Sequence, residues 1–278
     1  MGLVYVILAT GMVLILSISR ILFMAYGMFY TIGAYSVWYA VKEFNLPYFI
    51  SLPLGVLVAG TLGIISYLMI FQKLQKSEGG FLATLIASIG LSMVLSQGGM
   101  IVFGTASRSL PMIFSGRFDL FGVNISADKL VLIGLGVTIT LLLFWIYEKT
   151  NIGRAMRALS FNSEIAALQG INTNRMYMLV MGIGTGLAGF AGGILAPSYG
   201  LTPTMGTNIL WMVFLMTMLG GMDSLMGAVI GGVIIGQMLS FGQYFMGSTI
   251  QIVVFLIIGI ILYFKPAGLL GRGIEIEI

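Results

Sequence analysis

The chain of 278 residues contains no cysteine and no histidine. Disulfides, thiol nucleophiles, imidazole ligation and every Ser-His-Asp or Cys-His catalytic set are therefore excluded. Charge is nearly as scarce. Only 8% of residues are Asp, Glu, Lys or Arg, where a soluble domain carries about a quarter. No ionisable side chain sits in the middle of an apolar run, which argues against a proton-coupled carrier, because such carriers relay charge through groups inside the membrane. A sodium-coupled carrier stays open, since carbonyls and hydroxyls can hold that ion. There is no GxxxxGK[ST] loop, so ATP is not bound by that route. With so few carboxylates, no catalytic residue, metal site or bound cofactor is expected. A net charge of +4 is met by basic loops facing anionic lipid and needs no nucleic acid.

What is present is apolar surface. The chain is 59% hydrophobic, and its mean hydropathy is +1.07. Apolar runs cover residues 3–18, 21–41, 49–71, 81–103, 130–147, 176–196, 209–219, 225–241 and 248–264. By length and hydropathy these predict an all-α, polytopic membrane helix bundle with about nine transmembrane helices, eight to ten. Residues 1–278 read as one transmembrane domain. No cleavable signal is evident before the first run. The short runs 209–219 and 225–241 suggest a broken or re-entrant arrangement. Pro197 is expected to end the sixth span, and residues 118–124 to form a hairpin or a surface helix. Thr84, Ser88, Ser92 and Ser96 recur every four residues and share one helix face. They either bond to carbonyls and neighbouring helices or line a solute path. Phe23, Tyr26 and Tyr30 in the aromatic second run are packing residues or path lining.

The longest polar stretch, residues 148–175, cannot lie in hydrocarbon. Lys and Arg on its side of the bundle (Arg20, Lys73, Lys76, Lys149, Arg154, Arg157, Arg175, Lys265, Arg272) outnumber those opposite (Lys42, Arg108, Arg117, Lys129). That excess places the insert and the C-terminus in the cytoplasm and the N-terminus outside. Within the insert, residues 163–168 read as a short amphipathic helix, with Ser163 as cap, Glu164 at its positive end and Gly170 as stop. Arg154 and Arg157 are either anchors for lipid phosphate or part of a contact with a soluble partner. What composition leaves is a passive path worked from outside the chain.

The segment Gly153, Arg154, Ala155, Arg157, Ala158, Ala167, Gly170, Ile171, followed by small residues from Gly182 to Pro197, resembles the permease subunits of branched-chain amino acid ABC transporters of the leucine-isoleucine-valine type. Leu219 to Ala228 resembles the family's "GGxGSxxGA" turn, with Asp223 in place of Gly, and Lys265 to Gly271 its "RPxGLxG" end. The resemblance implies a non-catalytic permease in a bacterial or archaeal cell membrane, forming the path of an ATP-driven importer for branched-chain or other hydrophobic amino acids. It implies a second permease (a paralogue or the same chain), two cytoplasmic ATPase subunits that carry the ATP and Mg, and an extracytoplasmic solute-binding protein. Arg154, Arg157, Glu164, Ala167 and Gly170 then become the coupling segment that meets an ATPase. The family's Asn-Phe-Ala-His-Gly motif stands here as Phe23, Met24, Ala25, Tyr26 and Gly27, which makes this stretch more aromatic. Met28 stands where Glu is common, and the family's short lead segment before the first span is missing. On the residues alone, a self-contained carrier for a small neutral solute and a non-transporting scaffold remain alternatives.

Overall fold

The computed structural model describes residues 2–75, 77, 79–110, 117–120 and 123–271; Lys76, Glu78 and Arg272 lie outside them. In chain order come α1 (Gly2–Ser19), α2 (Tyr26–Lys42), α3 (Tyr48–Ser66), a π turn (Tyr67–Phe71), α4 (Gln72–Leu74) and α5 (Gly80–Phe103). Strands β1 (Arg117–Leu120) and β2 (Val123–Ser126) follow, then α6 (Ala127–Lys149), α7 (Asn151–Phe161) and α8 (Ser163–Leu168). The chain closes with α9 (Thr173–Tyr199), α10 (Met205–Gly220), α11 (Leu225–Met246), a 3-10 turn (Gly247–Thr249) and α12 (Ile250–Phe264). The two strands pair antiparallel, with Phe118 opposite Ile125 and Leu120 opposite Val123, so the described part of residues 118–124 is strand and not a surface helix. Among the described residues, six helices are long and apolar enough to cross a membrane, and α10 and α12 are shorter apolar helices. The fold is an all-α polytopic membrane bundle.

Burial separates the middle of the bundle from its rim. Of the most apolar window, 78% is buried in α1 and in α9, against 6% in α5 and in α6. The rim helices turn Ile86, Met93, Val94, Leu141 and Trp145 outward. In water such a surface would aggregate; in a bilayer it faces chemistry like its own.

Two parts of the chain repeat one plan. A central helix (α1; α9) ends in a left-handed residue, Arg20 at φ 52° and Gly200 at φ 72°. A buried connector leads into a shorter helix (α2; α10), and a longer helix (α3; α11) folds back on it. Each central helix packs antiparallel on the other part's long helix. Val6 and Gly2 of α1 meet Gly232 and Gly236 of α11, while Gly182 and Gly189 of α9 meet Ile64 and Ala59 of α3. The two shorter helices begin at one point inside the bundle. A Cβ on Gly27 would collide with the Gly206 carbonyl, and a Cβ on Gly206 with that of Gly27, so only glycine fits at either. Gly27 lies eleven residues, about 16 Å, along α2 from Trp38, near the opposite end of that helix.

These pairings sort the connections into two ends. The Gln75 amide donates to the Ser19 carbonyl (2.7 Å) and accepts from Tyr67 (3.2 Å), and Tyr67 meets Tyr177 at the start of α9. Leu269 N–H donates to the Leu219 carbonyl (2.8 Å) and Leu270 N–H to that of Gly220 (3.1 Å), seating the tail on the α10–α11 turn. At the other end Arg108 and Leu201 exchange two backbone hydrogen bonds (3.0 and 2.7 Å).

Three local expectations need correction. The run at 21–41 is not one helix: residues 21–25 are irregular and α2 starts at Tyr26. The run at 225–241 is extended to Met246 and makes a full-length helix. Pro197 does not end α9, which continues to Tyr199 and stops at left-handed Gly200. Proline cannot donate to the carbonyl four residues back, and that carbonyl, on Gly193, accepts instead from the Tyr48 hydroxyl at 2.9 Å.

Candidate functional site

The polar insert folds as an elbow of two short helices. Thr150 caps α7 by accepting from Gly153 N–H at 3.1 Å. Gly153 is where α7 turns back on the end of α6, and a Cβ there would strike the Tyr147 carbonyl. Met156 and Leu159, three apart, drop into the core and fix the face α7 presents to the bundle. Arg157 reaches back across the bend. Its guanidinium donates to the Tyr147 carbonyl and to that of Glu148 (3.3 Å), and lies 5.3 Å from the Tyr147 ring centroid. Those carbonyls belong to the last turn of α6, which has no intrahelical donors left, so Arg157 braces the elbow. Arg154 is exposed and donates to Asn151 within α7.

The cap of α8 is Asn162 rather than Ser163. Asn162 has the extended backbone of a cap (φ −154°, ψ 114°), and its Oδ1 accepts from Glu164 N–H (2.9 Å) and Ile165 N–H (3.0 Å). Gly170, at φ 85°, ends the helix, with Ile171 N–H donating to the Ala166 carbonyl at 3.2 Å. Glu164, Ala167 and Gly170 are exposed. Beside them stand three large apolar side chains that sequence reading passed over: Phe161 (72% exposed), Ile165 (55%) and Leu168 (88%). Ile165 and Leu168 are three apart on α8, and that spacing was the available signal.

The interior residues divide into two sets. Phe23, Tyr26 and Tyr30 are buried between α1, α2 and α9. Phe23 packs on Phe29 and Phe71 with ring centroids 5.5 and 5.4 Å apart, and the Tyr26 hydroxyl donates to the Leu8 carbonyl at 3.0 Å. Ser88 reaches the same place from α5. Its hydroxyl accepts from Met24 N–H (3.2 Å) and lies within donating distance of the carbonyls of Leu22 (3.0 Å) and Leu85 (2.8 Å). It therefore gives a further partner to Met24 N–H and the Leu22 carbonyl, which also bond each other at 3.2 Å in the irregular connector, at a depth without water. Thr84 is buried and donates to the Phe81 carbonyl, while Ser92 and Ser96 are half-buried farther along α5. A polar face that was not singled out lies on α10: Thr204, Thr207 and Asn208 are exposed beside buried Gly206. Its signal was the Thr207-Asn208 pair directly before the apolar run 209–219. Among the described residues no acidic cluster is placed to hold a metal ion.

The elbow, the small-residue stretch of α9 and the tail seated on the α10–α11 turn are the segments on which the resemblance rested. A family model described as "Branched-chain amino acid transport system / permease component" matches residues 1–264. The chain belongs to this family. It is a non-catalytic permease component of a transport system. BraD of Pseudomonas aeruginosa, a high-affinity branched-chain amino acid transport system permease protein, is 28% identical over 289 residues, covering 99% of this chain and 94% of that one. LivH of Salmonella typhimurium, named in the same terms, is 27% identical over 292 residues, covering 100% and 94%. LivM of the same organism is 26% identical over 299 residues, covering 97% and 68%. No solved structure matches the chain.

Proposed function

We propose that this permease works in the cell membrane of a bacterium or archaeon as one half of the path of an ATP-driven importer for branched-chain or other hydrophobic amino acids. Residues 148–175 face the cytoplasm, as does the C-terminus, and the chain crosses the membrane nine times. Of the described basic residues, Arg20, Lys73, Lys149, Arg154, Arg157, Arg175 and Lys265 gather at the elbow's end, and Lys42, Arg108, Arg117 and Lys129 at the other, a bias that supports this orientation.

The observation that carries the coupling role is the rim of Phe161, Ile165 and Leu168. It stands on the polar elbow, where apolar side chains face water unless a partner covers them. A six-residue helix with one apolar edge fits a groove on a cytoplasmic ATPase. Glu164, Ala167 and Gly170 border that contact. Arg157 keeps α8 at a fixed angle to α6, so a push on α8 reaches the bundle. ATP and Mg belong to two such ATPase subunits. A solute-binding protein serves the opposite end. A second permease, a LivM-like paralogue or another copy, covers the Thr204, Thr207 and Asn208 face, because an amide left in lipid is costly. The path runs along that face, with Phe23, Tyr26, Tyr30 and the α5 hydroxyls of Thr84, Ser88, Ser92 and Ser96 behind it.

The test is Phe161→Ser with Leu168→Ser. Both side chains are exposed, so insertion and thermal stability stay at wild type while ATP-driven leucine uptake and ATPase co-purification are lost. Normal uptake in the double variant removes the coupling role. Labelling of Ser160→Cys from the exterior alone inverts the topology.

A further inference from the structure

The end of the bundle opposite the elbow holds an aromatic cluster with donors that find no acceptor. Tyr35 and Trp38 are three residues apart on α2 and share a face. Both are buried, at 0% and 7% exposure. Neither the Tyr35 hydroxyl nor Trp38 Nε1 has a hydrogen-bond partner. Phe103 stacks on Tyr35 with ring centroids 4.1 Å apart at 13°, and also touches Tyr39 at 5.9 Å. Arg108 closes the cluster, its guanidinium carbon 4.5 Å from the centroid of the Trp38 ring. It donates one N–H to the Phe103 carbonyl at 3.2 Å, and among the described residues no carboxylate pairs with it.

Indole N–H and guanidinium groups can only donate. A buried donor without an acceptor is rare enough in native proteins to require an explanation. Two beside a half-buried, unpaired cation call for an acceptor that carries negative charge. The position of Arg108 is fixed independently of its side chain, because its backbone is bridged to Leu201. Leu201 opens the connector that leads to Thr204, Thr207 and Asn208.

We infer that Arg108, Tyr35 and Trp38 form a carboxylate-binding station at the outer mouth, which takes the α-carboxylate of an incoming branched-chain amino acid. The guanidinium supplies the charge and the fork that carboxylates fit. The Tyr35 hydroxyl and Trp38 Nε1 supply the remaining donors, and the Phe103 ring meets the apolar side chain. This rests on the importer reading for its solute and adds the residues that select it. A lipid phosphate has the same acceptor chemistry and is the competing occupant.

Trp38 is the reporter. The chain has three tryptophans, and Trp145 and Trp211 are exposed, so Trp145→Phe with Trp211→Phe leaves Trp38 alone to fluoresce. The full-length protein in nanodiscs is titrated with L-leucine, with isovalerate, which keeps the carboxylate and branched chain, and with L-leucinamide, which lacks the carboxylate. Leucine and isovalerate give a saturable change in emission; leucinamide gives none. Arg108→Gln raises the half-saturating leucine concentration at least tenfold, and Arg108→Lys recovers part of it. Tyr35→Phe weakens the response several-fold yet raises the unfolding midpoint without ligand, because it deletes an unpaired buried hydroxyl. An equal response to leucinamide, no response to either acid, an undiminished response in Arg108→Gln, or a response that follows phosphatidylglycerol content instead of leucine overturns the station. The importer reading fails separately. Uptake that needs no ATPase sinks that reading and leaves the Trp38 response standing. ATP-driven uptake at wild-type rate in Arg108→Gln, with no Trp38 response, sinks the station alone.

Discussion

The two parts of the bundle face one physical problem and answer it differently. Each sends an irregular connector into a region without water, where every open N–H and C=O needs a partner from protein. Before α2, the answer is a side chain on another helix: Ser88 takes the N–H of Met24 and reaches the carbonyl of Leu22. Before α10, main chain takes the larger share: Leu201 is paired twice with Arg108, and one side chain, the Thr31 hydroxyl on α2, accepts from Gly206 N–H at 3.1 Å. The first connector is packed with aromatic rings and the second contains Gly200 and Pro203. Equivalent places in the bundle thus differ in how much depends on one side chain.

Substitutions sharpen or break this comparison. The largest effect belongs to the shared origin of α2 and α10. Gly206→Val and Gly27→Val each drive atoms into the facing backbone, and either costs about 3 kcal/mol or more, read as loss of a monodisperse, cooperatively melting protein in detergent. A large loss at one and tolerance at the other breaks the equivalence. Ser88→Ala comes next. It leaves Met24 N–H and the Leu22 carbonyl with their mutual 3.2 Å bond in place of the Ser88 hydroxyl and lowers stability by about 1–3 kcal/mol, measured as a drop in unfolding midpoint. Thr31→Val leaves only Gly206 N–H without its acceptor and costs about 1–2 kcal/mol. Arg108→Ala is the mildest. The bridge to Leu201 uses its backbone, so the losses are the stacking on Trp38 and the half-buried bond to the Phe103 carbonyl, together about 1 kcal/mol. A cost at position 108 equal to that at Ser88 removes the distinction between side-chain and main-chain support.

Much of this architecture was legible in the sequence because a bilayer simplifies the code. Apolar length marked the spanning segments, and the surplus of charge in residues 148–175 marked the elbow and, within it, α8. What escaped notice was whatever depends on a partner distant in sequence. Nothing local says that residues 21–25 are irregular, since the run stays apolar throughout; the break is legible only once Ser88 is seen to serve it. Pro197 looked like a stop because the acceptor it frees, on Gly193, is met by Tyr48, nearly 150 residues earlier. Asn162 displaced Ser163 as the cap because the two are adjacent and equally suited by type, and only backbone conformation separates them. For the candidate site, Glu164, Ala167 and Gly170 were named from motif and residue type, whereas the exposure of Phe161, Ile165 and Leu168 depends on how the elbow folds. Arg108 was counted only as a charge on the outer side.

The bond from Tyr48 to Gly193 has a consequence for how α9 can move. Proline at 197 leaves that helix one rung short near its C-terminal end, and the rung is replaced by a phenol from an antiparallel neighbour. At that rung α9 is latched to α3 in place of itself. Rocking of those two helices against each other must release this hydroxyl, which makes position 48 a catch whose removal loosens the motion without cutting the chain's own ladder.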